Sequence, residues 1–206
     1  GAVTDATAEV FARMKPVAQQ AFLQAYFDPK QGLGYSVLRT TINSSDFSSS
    51  SYTYVQDGDR SLNSFSVAHD EQYRLPLLRK ALATAAEHGN RIKVFASPWS
   101  APAWMKSNGS MVGGGTLRQE DRGLWANYIV KFVKAYEKAG VPIWGLTVQN
   151  EPAATQTWES MIFTAEAETR FLGDHLGPAL HKAGLQDKKV IVWGHNREAL
   201  RQREAH

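Results

Sequence analysis

The strongest constraint on this chain is a regular alternation of β-rich and helix-patterned segments. Runs rich in β-branched and aromatic residues begin at positions 35, 91, 143 and 189, and read as strands over Tyr35–Ile42, Arg91–Ala96, Ile143–Val148 and Lys189–Trp193. A stub at Ala2–Thr4 makes a fifth. Helical patterns fill the intervals. Asp5–Met14 and Ala18–Tyr26 read as short helices, with Thr4 or Asp5 available as a cap. Leu75, Leu78, Leu82 and Ala85 fall at helical spacing before Gly89, and an apolar stripe from Leu124 to Tyr136 ends at Gly140. Phe171, Leu172, His175, Leu176 and Leu180 stripe a further helix. Alternation of this kind demands a parallel sheet with helical crossovers, either doubly wound or closed as a (β/α)8 barrel.

Long loops carrying polar and aromatic residues follow the strands, where both architectures build active sites. NSSDFSSSSYTYVQDGD follows the strand ending at Ile42, and PWSAPAWMKSNGSMVGGGTL follows the next. No GxGxxG or GxxxxGK[ST] follows any strand, which counts against a nucleotide-binding sheet. The GGG at Gly113–Gly115 reads as loop flexibility. A closed barrel takes about 250 residues, yet only thirteen residues follow Trp193. The expected fold is therefore an incomplete (β/α)8 TIM barrel, with residues 1–206 supplying about the first five β/α units. Its open apolar edge is expected to self-associate or to pair with the missing barrel half.

Composition removes several classes of function. A net charge of +3 with no basic run argues against a nucleic-acid partner. No apolar run approaches the roughly 20 residues of a membrane span. The chain has no cysteine, which excludes disulfides and thiolate metal sites. His69, His88, His175 and His181 are scattered, so no metal is expected. Neither is a cofactor. No secretory signal opens the chain, although GAVTDATAEV starts abruptly enough to be a fragment end. Six tryptophans and seven tyrosines supply flat apolar faces for sugar rings or for the core.

The stretch LTVQNEP, Leu146–Pro152, sets a carboxamide and a carboxylate side by side where a buried strand stops. Taken alone, Asn150-Glu151-Pro152 reads as a strand end and the start of a turn. At the mouth of a barrel it reads differently. A carboxylic acid against apolar walls holds its proton to higher pH and can donate it near neutrality. The adjacent amide can fix a substrate hydroxyl. Glycoside hydrolysis needs such an acid and a second carboxylate.

Read with its neighbours, this motif belongs to an ordered set. GAVTDATAEVF, VLRTTINSSDFS, FASPWSAPAWMKSNG, GLTVQNEP and VIVWGHNRE together resemble glycoside hydrolase family 30, the glucosylceramidase-like retaining β-glycosidases with a (β/α)8 barrel. The resemblance runs nearly the whole length. It implies that Glu151 is the general acid/base and that Asn150 holds the hydroxyl next to the reacting carbon. It implies that Asp46 and the Trp99 indole bind hydroxyls on the far side of the sugar. Arg39 would point into the barrel and pair with the nucleophile carboxylate, and Asn196 would be a polar neighbour of the acid/base. Other readings stay open: a structural ion pair for Arg39, a turn for Asp46, core for Trp99 and Trp104, and a satisfied polar residue for His195.

The chain departs from that pattern at one place. The family's nucleophile is a glutamate ending the seventh strand, whereas the last strand read here is the fifth. Glu198 lies just past it, but in a context unlike the nucleophile motif. The family's accessory β-sandwich is also absent. The expected function is exo-hydrolysis of a β-linked glucosyl or related unit through a covalent intermediate, on an oligosaccharide or glycolipid substrate. The rival is a catalytically inactive sugar-binding or structural fragment of such an enzyme.

Overall fold

The computed structural model describes residues 1–197; Glu198 lies outside them. The elements are β1 (Ala2–Val3), α1 (Asp5–Arg13), α2 (Pro16–Phe27), β2 (Val37–Ile42), the one-turn α3 (Ala68–Glu71), α4 (Arg74–Glu87), β3 (Lys93–Pro98), α5 (Arg122–Lys138), β4 (Ile143–Thr147), α6 (Ala165–Phe171), α7 (Gly177–Lys182) and β5 (Lys189–Ile191). All five strands are parallel, in the order β1-β2-β3-β4-β5. Neighbours in sequence are thus neighbours in the sheet. Each parallel pair is joined by a helical crossover, and the sequential order is that of a singly wound barrel rather than of a doubly wound sheet.

Each strand has two unlike faces. Leu38, Ile42, Val94, Ala96, Ile143 and Leu146 form one buried core with the apolar stripes of α4 and α5. The other face carries Arg39, Phe95 and Thr147, which line an open concavity. The expected arc of β/α units is what forms.

Most departures from the sequence reading are at element ends. α2 starts at Pro16, two residues before the expected Ala18, because proline at the first helical position is already set in φ and needs no N–H. β2 and β3 begin two residues late. β3 runs on through Pro98, where Ser97 and Pro98 register against Thr41 and Ile42. β5 stops at Ile191, since Trp193 turns to a φ of 55° and leaves the ladder. Thr4, not Asp5, caps α1, accepting from the Thr7 N–H at 3.3 Å. The stripe expected after Phe171 is shifted by a π turn over Leu172–Leu176. The fully covered positions become Phe171, Leu176 and Leu180, one residue further apart than a regular helix would place the first two.

Candidate active site

Three strands leave the sheet through non-glycine residues in the left-handed region: Asn43 after β2, Glu151 after β4 and Trp193 after β5. Such backbone is costly and survives only where its surroundings over-determine it. For Glu151 those surroundings are visible. Its N–H donates to the Gly194 carbonyl at 2.9 Å, and the Asn150 N–H donates to the Pro98 carbonyl at 2.8 Å. The Asn150-Glu151 turn is therefore stitched between the ends of β3 and β5. Proline costs nothing at position 98, because its carbonyl is the group used.

The side chains converge on the concave face. Asn150, Glu151, Arg39, Thr147, His195 and Asn196 are among the residues lining one cavity of about 420 Å³. Arg39 crosses its floor, donating from Nε to Ser97 Oγ at 2.9 Å and from Nη2 to Asn150 Oδ1 at 2.7 Å. With Oδ1 engaged, the Asn150 amide has its NH2 left to donate. The Arg39 guanidinium also stacks over the Trp99 ring, 4.7 Å from its centre. Burial lowers the Arg39 pKa, and the charges of Glu151 and Asp46 act against that shift.

Asp46 and Trp99 stand on the next part of the rim. Trp99 is buried, and Gln149 Nε2 holds its carbonyl at 2.7 Å. Asp46 is exposed. Desolvation pushes its carboxyl up, and the neighbouring charges of Glu151 and Glu159 add to that. Its own backbone and the Trp99 side chain, hydrogen-bonded to it, pull it back down. Glu151 is half-buried, not enclosed by apolar walls. Asn196 is exposed, its backbone held by a bond from the Trp193 indole to its carbonyl at 2.8 Å and from its own N–H to His195 Nδ1 at 2.7 Å. All six residues singled out from the sequence are thus grouped at one end of the sheet.

Sequence reasoning missed the buried polar groups behind this face. Arg74, wholly buried, pairs with Asp70 at 2.6 Å and lies 3.6 Å from Asp5. Tyr52, Tyr54 and Tyr136 donate to the same two carboxylates. His69 brings a third potential metal ligand within 4.8 Å of Asp5 and Asp70. Those oxygens are already committed to a guanidinium and to hydroxyls, so the donor set suits an internal ion pair better than a cation. Lys106 and Glu159, also buried, tie the long loops to one another. No sequence signal marked them, because a buried charge and a surface charge are spelled alike.

Comparison with known proteins agrees with this architecture. The family model for the glycosyl hydrolase family 30 TIM-barrel domain matches residues 1–204. Lysosomal acid glucosylceramidase of Mus musculus is 36% identical over 93% of this chain, which covers 38% of that protein. Endo-1,6-beta-D-glucanase neg1 of Aspergillus fumigatus is 32% identical over 95% of the chain and 43% of its own length. Among solved structures, SrfJ from Salmonella typhimurium superposes with a TM-score of 0.92 at 34% identity, over all of this chain and 45% of that one. The endo-beta1,6-glucanase BT3312 gives 0.87 at 33%, over 95% of this chain and 43% of its own. The chain thus spans about two fifths of the length of the curated relatives it matches. Its five described parallel strands, joined by helical crossovers, are an incomplete arc of a TIM barrel, and with the match running almost end to end, the chain belongs to glycosyl hydrolase family 30.

Proposed function

We propose that the protein carrying this chain is a retaining glycoside hydrolase acting on β-linked glucosyl or related units, with Glu151 as its general acid/base. The observation that carries this reading is the convergence of Glu151, Asn150 and Arg39 on one cavity, beside Asp46 and Trp99. The relatives named above include a glucosylceramidase and endo-1,6-β-glucanases, so the substrate class is a β-glucoside, either glycolipid or oligosaccharide.

In this mechanism Glu151 gives its proton to the leaving oxygen as the glycosidic bond breaks. It then takes a proton from the water that frees the sugar. The Asn150 amide, oriented by Arg39, donates to the hydroxyl beside the reacting carbon. Asp46 accepts from hydroxyls at the other end of the ring, and the Trp99 indole donates there. A retaining enzyme needs a second carboxylate ~5–5.5 Å from the first. The resemblance assigns it to the end of the seventh strand, and Arg39 is the cation that would face it.

The test is leaving-group dependence in the full-length protein. Glu151→Gln removes the proton donor, so turnover of a substrate with a poor leaving group should fall by about 10²–10⁴-fold. An activated aryl β-glucoside, which departs without protonation, should lose far less. Equal losses on the two substrates would sink the acid role.

A further inference from the structure

We propose that Glu159 is a positioning residue for the sugar-binding side of this site, gripping the loop after β2 on both sides of Asp46. The proposal rests on the functional reading above for its consequence, but not for its geometry. Glu159 is 4% exposed. Its Oε1 accepts from Ser44 Oγ at 2.7 Å and from Ser51 Oγ at 2.7 Å. Ser44 and Tyr52 close the base of that loop with reciprocal bonds, including Tyr52 N–H to Ser44 Oγ at 3.0 Å. The carboxylate therefore holds Ser44 and Ser51, the two ends of the segment that contains Asp46.

The residue that does the holding is itself fixed. Glu159 pairs with Val112 in an isolated antiparallel bridge, and the Ser160 N–H donates to the Met111 carbonyl at 3.0 Å. Buried Lys106 donates to the Ser160 carbonyl at 2.6 Å and to the Met111 carbonyl at 3.2 Å, and its charge acts on Glu159. Glu159 thus transmits the position of the loops after β3 and β4 to the loop after β2. A buried carboxylate is an expensive way to fill space, and an apolar side chain would do that more cheaply. What an apolar side chain could not provide is one oxygen acceptor shared by two hydroxyls. The middle of the segment is anchored separately, by Ser48 Oγ on Asp5 at 2.5 Å and Ala6 N–H on the Phe47 carbonyl at 2.9 Å. Losing Glu159 should let the Asp46 segment shift without unfolding it.

Two readouts test this. Hydrogen exchange reads the grip directly: Glu159→Ala should speed exchange at the amides of residues 44–52, and Glu159→Gln, whose oxygen still accepts both hydroxyls, should restore protection. Kinetics of the full-length protein on a β-glucoside read the consequence. Glu159→Ala should raise KM about tenfold, as losing a charged hydrogen bond does, with kcat little changed and KM recovered in Glu159→Gln. Ser51→Ala, an exposed substitution that cannot collapse the core, should raise KM about threefold. Unchanged exchange in Glu159→Ala overturns the proposal. So does faster exchange with KM unmoved, or a Gln variant as impaired as Ala. If the protein hydrolyses no glycoside at all, the functional reading fails, and the exchange experiment still decides the grip.

Discussion

At position 151 the backbone holds a φ of 45°, in the region that costs a side-chain-bearing residue about 1–2 kcal/mol. The two strand-end hydrogen bonds that enforce it leave no relaxed alternative. Glu151→Gly should therefore raise stability by roughly 0.5–1 kcal/mol, after the extra entropy glycine loses on folding. Urea midpoints would show it; a lower midpoint for the glycine variant would mean that the side chain contributes more than the strain costs. The residue with the proposed chemistry is then one the fold would be more stable without. Glu151, Asn150 and Arg39 were legible through the family resemblance of the motifs that carry them, since the tripeptide at 150–152 alone reads as a turn and Arg39 alone leaves a structural ion pair open. Glu159 was not. Its partner Ser44 is 115 positions away, and nothing local distinguishes it from a solvated glutamate. Asp5 shows the same limit, since it looked like a cap and is instead part of the Arg74 ion pair.

Strands and helices were legible because their periodicities are local, and only their ends moved. The proline that opens α2, the extra pair of residues in β3 and the π turn after α6 all depend on hydrogen bonds that no periodicity encodes. The long loops were recognisable as loops but not as a joined wall. Lys106 is central to that wall. Burial lowers its pKa to about 8 against an unfolded value of 10.5, with Glu159 opposing the shift. A lysine whose folded value lies below its unfolded value costs stability when charged. That cost is fully present below pH 8 and fades as pH rises to 10.5. The unfolding free energy should therefore gain on the order of 2 kcal/mol from this group between pH 7 and pH 9.5. Lys106→Met lacks the titration and should not show that gain. It should also be weaker at pH 7, because two buried carbonyls lose their donor. Denaturant curves at the two pH values on both proteins check the sign.

The sheet as a whole is open, and its outer strands β1 and β5 are only two and three residues long. The exposed edge is thus shorter than the sequence suggested, though Val37 and Val192 remain 43% and 52% exposed beside it. We expect the 206-residue chain in isolation to associate with a second copy or with added later β/α units. Light scattering checks this, and a stable monodisperse monomer across the micromolar range would count against it. The order β1-β2-β3-β4-β5 has one more consequence. A ribosome releasing this chain never has to wait for a distant strand before docking the newest one. Asp46, Trp99 and Glu151 emerge in the order in which their strands join, and the grip of Glu159 on Ser44 and Ser51 closes behind them. The joined loops after β2, β3 and β4 can therefore come together during synthesis before β5 has been translated, and the Glu151 turn is locked only when Gly194 follows it.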